Sequence, residues 1–471
     1  MTAFFKPLFL CALPVALSFS SVLSEDIAPP KPFLQVQDGE TVAFYGDSIT
    51  HQCLYTQYIE TFFYTRFPDR NIQFHNAGVS GDKAADALDR FDDDLAASEP
   101  DHVTILLGMN DGQYEAFSEE TFATYREGME KIVSKIREAG ATPVALSPTM
   151  FDHHQLALRN KDETFRFRDR PFHGHYNSLM AYYGAWLRET AGSEQIPFVN
   201  LWGPLNDHTF AIRSSQPDFS LVEDAIHPGA AGQFIMAFSI LSTSLPEKRH
   251  VSNISINRRG PKWTAARSEK ITELKGADDG SEISFTFHAQ SLPWVVPHPS
   301  SNYDLKWGPS APASLGFELT KAGHKLGAER FRITGLAPGN YELHIDDTKI
   351  GTFSHLQLGS KIELQNFPDS PQSRQALEVA ELNRERNDEA VRPLRDTWAR
   401  IKGLRRKGSD AFEKSYPDLL AKARELEEKA AQYHDQIRKI AQPIPRQYRL
   451  EKVASPAGAG KAKAPAKTGK K

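Results

Sequence analysis

The chain has 471 residues, 40% of them hydrophobic and 25% charged. That length exceeds one ordinary domain and supplies ample apolar material for a sizeable core. A formal net charge of −4 gives no electrostatic case for a nucleic acid partner.

In chain order, residues 1–24 read as a signal peptide. Lys6 precedes an apolar run, and Val22 and Ser24 set small residues at −3 and −1 before Glu25. The competing reading is a membrane anchor. The run is about 18 residues, marginal for a span, and Pro7 and Pro14 interrupt it. Cys11 follows Leu10 where a lipidation site wants a small residue. No later stretch is long and apolar enough to cross a bilayer, so no stable span is expected after cleavage. The expected location is periplasmic or secreted. Cleavage leaves Cys53 as the sole cysteine, which excludes an intrachain disulfide and reads as a buried thiol.

Residues 25–249 form the first expected domain. Residues 41–45, 72–74, 103–107, 143–146 and 197–201 are short, apolar and bounded by Gly, Pro or Asp, as buried strands are. Residues 54–67, 119–139, 176–191 and 230–245 carry helical periodicity, and Gly140 stops the second of these. Strand and helix alternate, which predicts an α/β fold with a parallel sheet between helix layers. Ligands then bind outside the carboxyl ends of the strands.

Residues 250–368 change character. Ile283, Phe285 and Phe287 alternate with polar residues, and residues 331–345 read as strand, Pro338-Gly339 turn, strand. A small antiparallel β domain, arranged as a sandwich, is expected. Residues 369–442 predict a helical hairpin. Leu419, Ala423, Leu426, Ala430, Tyr433, Ile437 and Ile440 form one apolar seam, and Val391, Leu394, Trp398 and Ile401 another. Gly403, Gly408 and Pro417 mark the expected break between them. An intermolecular coiled coil is the competing reading, but the seam is short for independent dimerisation. Residues 453–471 are almost wholly Ala, Gly, Pro and Lys, the composition of a disordered, solvated tail.

Chemistry-bearing residues gather at predicted strand ends. Gly46-Asp47-Ser48 closes the first strand, where a following helix aims N–H groups at a ligand. Alone, that motif is equally compatible with a capped strand-to-helix turn. Asn76 to Asp82 contains Gly78 and Gly81, Gly108 to Asp111 ends the strand at 103, and Asp224 to Pro228 precedes the last helix. Together they supply a nucleophile, a base with its carboxylate, and oxyanion donors, the parts that acyl transfer needs.

With these four blocks in order, residues 41–245 resemble the SGNH (GDSL-type) hydrolase family. The resemblance implies a flavodoxin-like parallel sheet sandwiched by helices and a serine esterase activity without a cofactor or metal. By position it implies Ser48 as nucleophile, His227 as general base and Asp224 as the carboxylate that orients it. It implies an oxyanion hole made by the Ser48 N–H, the Gly81 N–H and the Asn110 side chain. Gly81 is preferred to Gly78 because it sits within Ser80-Gly81-Asp82.

Other residues have blander readings. His51 reads as a surface or helix-start residue rather than a pocket wall. Asp47 and Asp111 read as turn caps. His153, His154, His173 and His175 cluster in a polar insertion, residues 151–175, that suggests an active-site rim more than a metal site. Trp202, Trp294 and Trp307 read as core or inter-domain contacts before sugar-stacking platforms.

The expected partner is therefore a small-molecule or polysaccharide ester, with carbohydrate O-acetyl groups favoured. A lipid esterase or thioesterase is the alternative within the class, and a non-catalytic cell-envelope or glycan-binding protein the alternative outside it. Nothing in the sequence specifies an oligomeric state.

Overall fold

Strand β1 (Thr41–Gly46) is buried along nearly its whole length, as a central parallel strand must be. It pairs in parallel with β2 (Gln73–Gly78) on one side and β3 (His102–Leu106) on the other. Strands β4 (Thr142–Leu146) and β5 (Phe198–Val199) complete a parallel sheet in the order β2-β1-β3-β4-β5. The computed structural model describes residues 35–159, 175–244, 250–266, 270–299 and 310–454. The expected signal peptide, residues 455–471 of the tail, Trp307, His173 and most of the insertion at 151–175 lie outside them.

The flanking helices follow from local chemistry. In Glu119–Glu138 the Ser118 hydroxyl caps the start, accepting from Thr121 N–H at 3.3 Å. Phe122, Tyr125, Met129, Ile132, Val133 and Ile136 recur at helical spacing and are buried. Gly140, at φ +84°, ends the run. Tyr176–Ser193 also buries one stripe, whereas Leu54–Arg66 is buried on every side and Ala230–Ser244 nearly so. These helices agree with the expected spans to within two residues.

The β region departs from expectation in three ways. Strands β6 (Ser252–Arg259), β7 (Lys262–Ala265), β8 (Ile271–Gly276), β9 (Glu282–Phe287), β10 (Glu329–Thr334), β11 (Asn340–Ile345), β12 (Thr348–Ser354), β13 (Ile362–Glu363) and β14 (Arg446–Val453) form two sheets. Their orders are β13-β10-β6-β7 and β12-β11-β14-β9-β8. The first sheet is not wholly antiparallel, because β6 and β10 run parallel. The second is not contiguous in sequence. Strand β14 returns from beyond the helical hairpin and takes the central place between β11 and β9. Tyr448 is the reason that the strand is held there: its ring stacks on Phe285 at 5.1 Å and on Phe331 at 5.9 Å.

The third departure concerns the domain boundary. Residues 292–299 and 310–326 leave the β region and pack back on the α/β core. Trp294 is buried between Phe62 and Phe234, with centroids at 5.3 and 4.7 Å, and its N–H donates to Tyr58 O. Trp294 is thus a core residue, and it belongs to the α/β core rather than to the β region.

The helical hairpin forms within one chain. Helix Pro371–Arg386 continues through a π-helical turn, Asn387–Val391, into Arg392–Arg405, and the long helix Ser409–Ile440 returns beside it. Gly408, at φ +120°, makes the reversal. Gly403 and Pro417 do not break the chain, since both lie inside helices. Leu394, Trp398 and Ile401 meet Leu419, Ala423 and Leu426 as the two seams predict. The cluster also takes in Val79, from the end of β2. The hairpin therefore packs against the α/β unit.

Charge fixes that docking. Arg395, fully buried, holds both Asp94 oxygens at 2.9 Å. Arg90 binds Asp94 at 2.6 Å and Asp82 at 2.8 Å, and Lys402 reaches the other Asp82 oxygen at 2.5 Å. Removing one partner from such a buried chain strands its neighbours. Arg90→Met is expected to lower unfolding free energy by roughly 3–5 kcal/mol, read by denaturant titration. A loss under about 1 kcal/mol, no more than a surface pair is worth, would show that the chain does not stabilise the fold.

A second buried carboxyl has a pH consequence. Burial pushes Glu329 up to about 7 from 4.5, and a hydrogen bond from Gln372 and the charge of Arg66 offset only part of that. A pKa raised on folding means that its stability contribution is complete below the unfolded pKa and is lost as pH rises through the folded one. Glu329→Gln should therefore match the wild type near pH 4 and exceed it at about pH 8.5, by on the order of 3 kcal/mol. Parallel thermal melts of both proteins across that range would refute this if their difference did not change with pH.

Candidate active site

Strand register assembles the site. Gly46, the last residue of β1, pairs with Gly78 of β2 and Leu106 of β3. The carboxyl ends of three strands thus lie side by side, and the segments after them share one corner. Gly46 cannot be larger: a Cβ there would sit 2.2 Å from the Thr50 hydroxyl oxygen and 2.7 Å from Leu106 O. Asp47 then caps the short helix Ser48–His51, accepting from Ile49 N–H at 2.9 Å. Ser48 is the first residue of that helix.

His227 comes to Ser48 from the other end of the unit. Its Nε2 lies 2.8 Å from Ser48 Oγ, and its Nδ1 lies 2.6 Å from Asp224 Oδ2. Asp224 Oδ1 accepts from the N–H groups of Ile226 and His227. Ala225 adopts the left-handed region, φ +75°, to let one carboxylate hold both backbone and ring. Burial raises the Asp224 pKa, but the hydrogen bonds and charge of His227 outweigh it and leave the group below its ordinary value. An ionised Asp224 only accepts, so Nδ1 carries a proton toward it, and Nε2 is the ring nitrogen turned to Ser48.

Asn110 is tied to both neighbouring segments. Its Nδ2 donates to Asp82 O at 3.1 Å and to Asp47 Oδ2 at 3.3 Å, and its Oδ1 accepts from Tyr114 Oη. The carboxamide is thereby oriented by Tyr114, a residue that the sequence reading did not single out. Gly81 sits between Ser80 and Asp82 at φ +73°, where a side chain would be strained. Its loop is held by Arg90 on Asp82 and by Asn110 on Asp82 O.

Asp47 and Asp111 act as the turn caps that the sequence predicts. Asp111 accepts from Ala84 and Gly108 N–H. Burial pushes both carboxyls up to about 7, with backbone N–H donors offsetting part of it. His51 is not on the surface. It is buried, with Nδ1 near Ser80 N and Oγ at 3.3 and 3.1 Å and Nε2 3.2 Å from Asp396. Cys53 is buried, and burial pushes its thiol up to about 12. His153 and His154 are exposed, and Trp202 donates its N–H to Asn177 Oδ1 at 2.9 Å.

The local sequence carried no signal for Arg90 or Lys402, whose partners are distant in the chain. Ser48, His227 and Asp224 meet directly. Asn110 and Gly81 join them through Asp47 and Asp82. The set can deliver a deprotonated serine oxygen to an electrophile and donate to a developing anion.

Residues 44–234 match the GDSL-like lipase/acylhydrolase family. An acetylxylan esterase from Geobacillus stearothermophilus is 24% identical over 227 residues, which are 44% of this chain and 95% of that protein. Among solved structures, one described as a gut microbial diltiazem-metabolizing enzyme superposes with a TM-score of 0.75 at 23% identity. The superposition covers 90% of this chain and all of that one, so the fold, appended sheets and hairpin included, is shared. The solved Geobacillus stearothermophilus acetylxylan esterase covers 45% of this chain and 98% of its own, at 22% identity and a TM-score of 0.36. Residues 44–234 are a GDSL-like (SGNH) lipase/acylhydrolase domain, and the chain is a carboxylic ester hydrolase of that type.

Proposed function

We propose that the protein is a serine esterase working through an acyl-enzyme, with acetyl groups on carbohydrate hydroxyls as its substrates. The observation that carries the mechanism is the 2.8 Å approach of His227 Nε2 to Ser48 Oγ, with Asp224 2.6 Å behind the ring. Ser48 Oγ attacks the ester carbonyl carbon as its proton passes to His227 Nε2. Asp224 holds the ring in one tautomer and stabilises the imidazolium. The carbonyl oxygen becomes an oxyanion, and the Ser48 N–H, Gly81 N–H and Asn110 Nδ2 are its donors. The C–O bond to the alcohol then breaks, the imidazolium returns the proton to the departing oxygen, and Ser48 is left acylated. Water repeats the sequence, releasing the acid and restoring the hydroxyl.

The weaker of the two Asn110 contacts, 3.3 Å to Asp47, is the one that an oxyanion would replace. Support for the acetyl-carbohydrate class comes from the acetylxylan esterase relative, which the chain matches over 95% of that protein's length. Export is part of the proposal, supported by the residue pattern of the first 24 positions. Mass spectrometry of the secreted form should find Glu25 as its first residue, and retention of Met1 would count against it.

Ser48→Ala should abolish hydrolysis of 4-nitrophenyl acetate. Asn110→Ala should keep the fold, by circular dichroism, and lose on the order of 100- to 1,000-fold in kcat. Near-native turnover would remove Asn110 from the hole. A panel of acetylated xylo-oligosaccharides against 4-nitrophenyl esters of rising chain length tests the substrate. Preference for long acyl chains would sink the carbohydrate assignment and leave an esterase.

A further inference from the structure

The appended hairpin reaches the loop that carries Gly81, and it does so through polar contacts as well as packing. Val79, at the start of that loop, is buried with Leu394, Trp398 and Ile401 of the hairpin. Lys402 Nζ donates to Ser80 O at 3.3 Å and to Asp82 Oδ1 at 2.5 Å. It thus grips the residues on either side of Gly81. A Cβ built on Gly81 would lie 3.9 Å from that ammonium, so the lysine lies close against the loop. A second contact runs through His51, which bonds Ser80 with one ring nitrogen and Asp396 of the hairpin with the other.

The opposite side of the loop is held by residues of the α/β unit. Arg90 binds the second Asp82 oxygen, and Asn110 binds Asp82 O. Asp82 is fully buried and the Lys402 side chain is 14% exposed, so that pair is less screened than a surface pair. Without the hairpin, Ser80 O would lose its ammonium donor, His51 its carboxylate, and Val79 its apolar cover.

We propose that the hairpin is part of the catalytic apparatus, with Lys402 as the positioning residue that holds the Gly81 N–H in line with the oxyanion. This rests on the reading of Gly81 and Asn110 as oxyanion donors. Lys402 touches neither substrate nor reacting atom. It acts through the Ser80–Asp82 backbone, and its loss displaces a donor whose interaction exists only in the transition state. Such a loss lowers kcat and leaves KM nearly alone.

The test is steady-state hydrolysis of 4-nitrophenyl acetate by the full-length protein and five variants: Lys402→Met, Lys402→Arg, Asp396→Asn, Asn110→Ala and Lys429→Met. Lys429 pairs with Glu389 on the exposed side of the same hairpin and is the control for general loosening. Lys402→Met should lose roughly tenfold or more in kcat, since a misplacement of about 1 Å can cost 100-fold. Its KM should stay within about threefold, because uniform binding is untouched. Lys402→Arg should recover most of the rate, Asp396→Asn should show a smaller loss, and Lys429→Met none.

Wild-type kcat in Lys402→Met, with Asn110→Ala still crippled, would overturn the proposal and leave the oxyanion assignment standing. Wild-type kcat in both would overturn the oxyanion assignment and this proposal together. Equal losses in Lys402→Met and Lys429→Met, with matching falls in melting temperature, would show a purely structural hairpin.

Discussion

The pairing of Gly46 with Gly78 and Leu106 is the constraint on which the site depends. A parallel sheet places the carboxyl ends of neighbouring strands side by side. The chain can therefore bring Ser48, the Gly81 loop and Asn110 to one corner from three separate stretches. Shifting β2 or β3 by one residue against β1 would turn every following side chain to the other face. Gly46 makes that arrangement possible at its tightest point, since Thr50 and Leu106 leave no room for a Cβ.

Carboxylates then hold the corner in shape. Asp47, Asp82 and Asp111 are all buried, and none is the orienter of the base. Each accepts hydrogen bonds that define a turn: Asp47 from Ile49 and Asn110, Asp111 from Ala84 and Gly108, Asp82 from Arg90 and Lys402. Burying such groups disfavours ionisation, and for Asp47 and Asp111 the backbone donors recover only part of that. Asp82 instead has two cations. The difference matters because the Asp82 cations come from the hairpin as well as from the α/β unit, so the loop beside Gly81 is the part of the site that the appended segment controls.

The α/β unit was legible because its signals are local. Periodicity located the helices at 54, 119, 176 and 230, the blocks around Ser48, Gly81 and Asn110 mark strand ends by their own glycines and polar residues, and the block around His227 sits just before the last helix of the unit. What was not legible depends on partners far away in the chain. Strand β14 reads as a short polar and aromatic stretch until Tyr448 meets Phe285 and Phe331. Trp294 lies among strand-like residues, yet its neighbours Phe62 and Phe234 are in the α/β unit. Pro417 is a helix breaker by propensity, and the long helix carries it near its start, where the seam around Leu419 and Ala423 holds the chain helical. His51 reads as a surface or helix-start residue for the same reason, and Lys402 carries no signal of its own: nothing adjacent in sequence announces Asp82, Ser80 or Asp396.

The helix Leu54–Arg66 shows why the appended segments are not removable additions. Its sequence has an apolar side and a polar side, the pattern of a helix facing water. Yet Gln57, Glu60, Thr61 and Tyr64 are buried. Asn383 donates to Gln57 O and Thr61 Oγ1, Arg386 and Asn387 both bind Glu60, and His434 Nδ1 lies 2.8 Å from the Tyr64 hydroxyl. The polar side has been covered by a second polar surface rather than by solvent. A chain ending near residue 249 would return Glu60 and its neighbours to water, which is tolerable for charge. It would also strip apolar cover from the core, which takes Trp294, Val379 and Ile437 from the appended segments. Polar seams of this kind are satisfied only when complete. The α/β unit and its additions therefore fold against each other, and a contact made by the hairpin at Lys402 is as permanent a feature of the site as one made by the sheet.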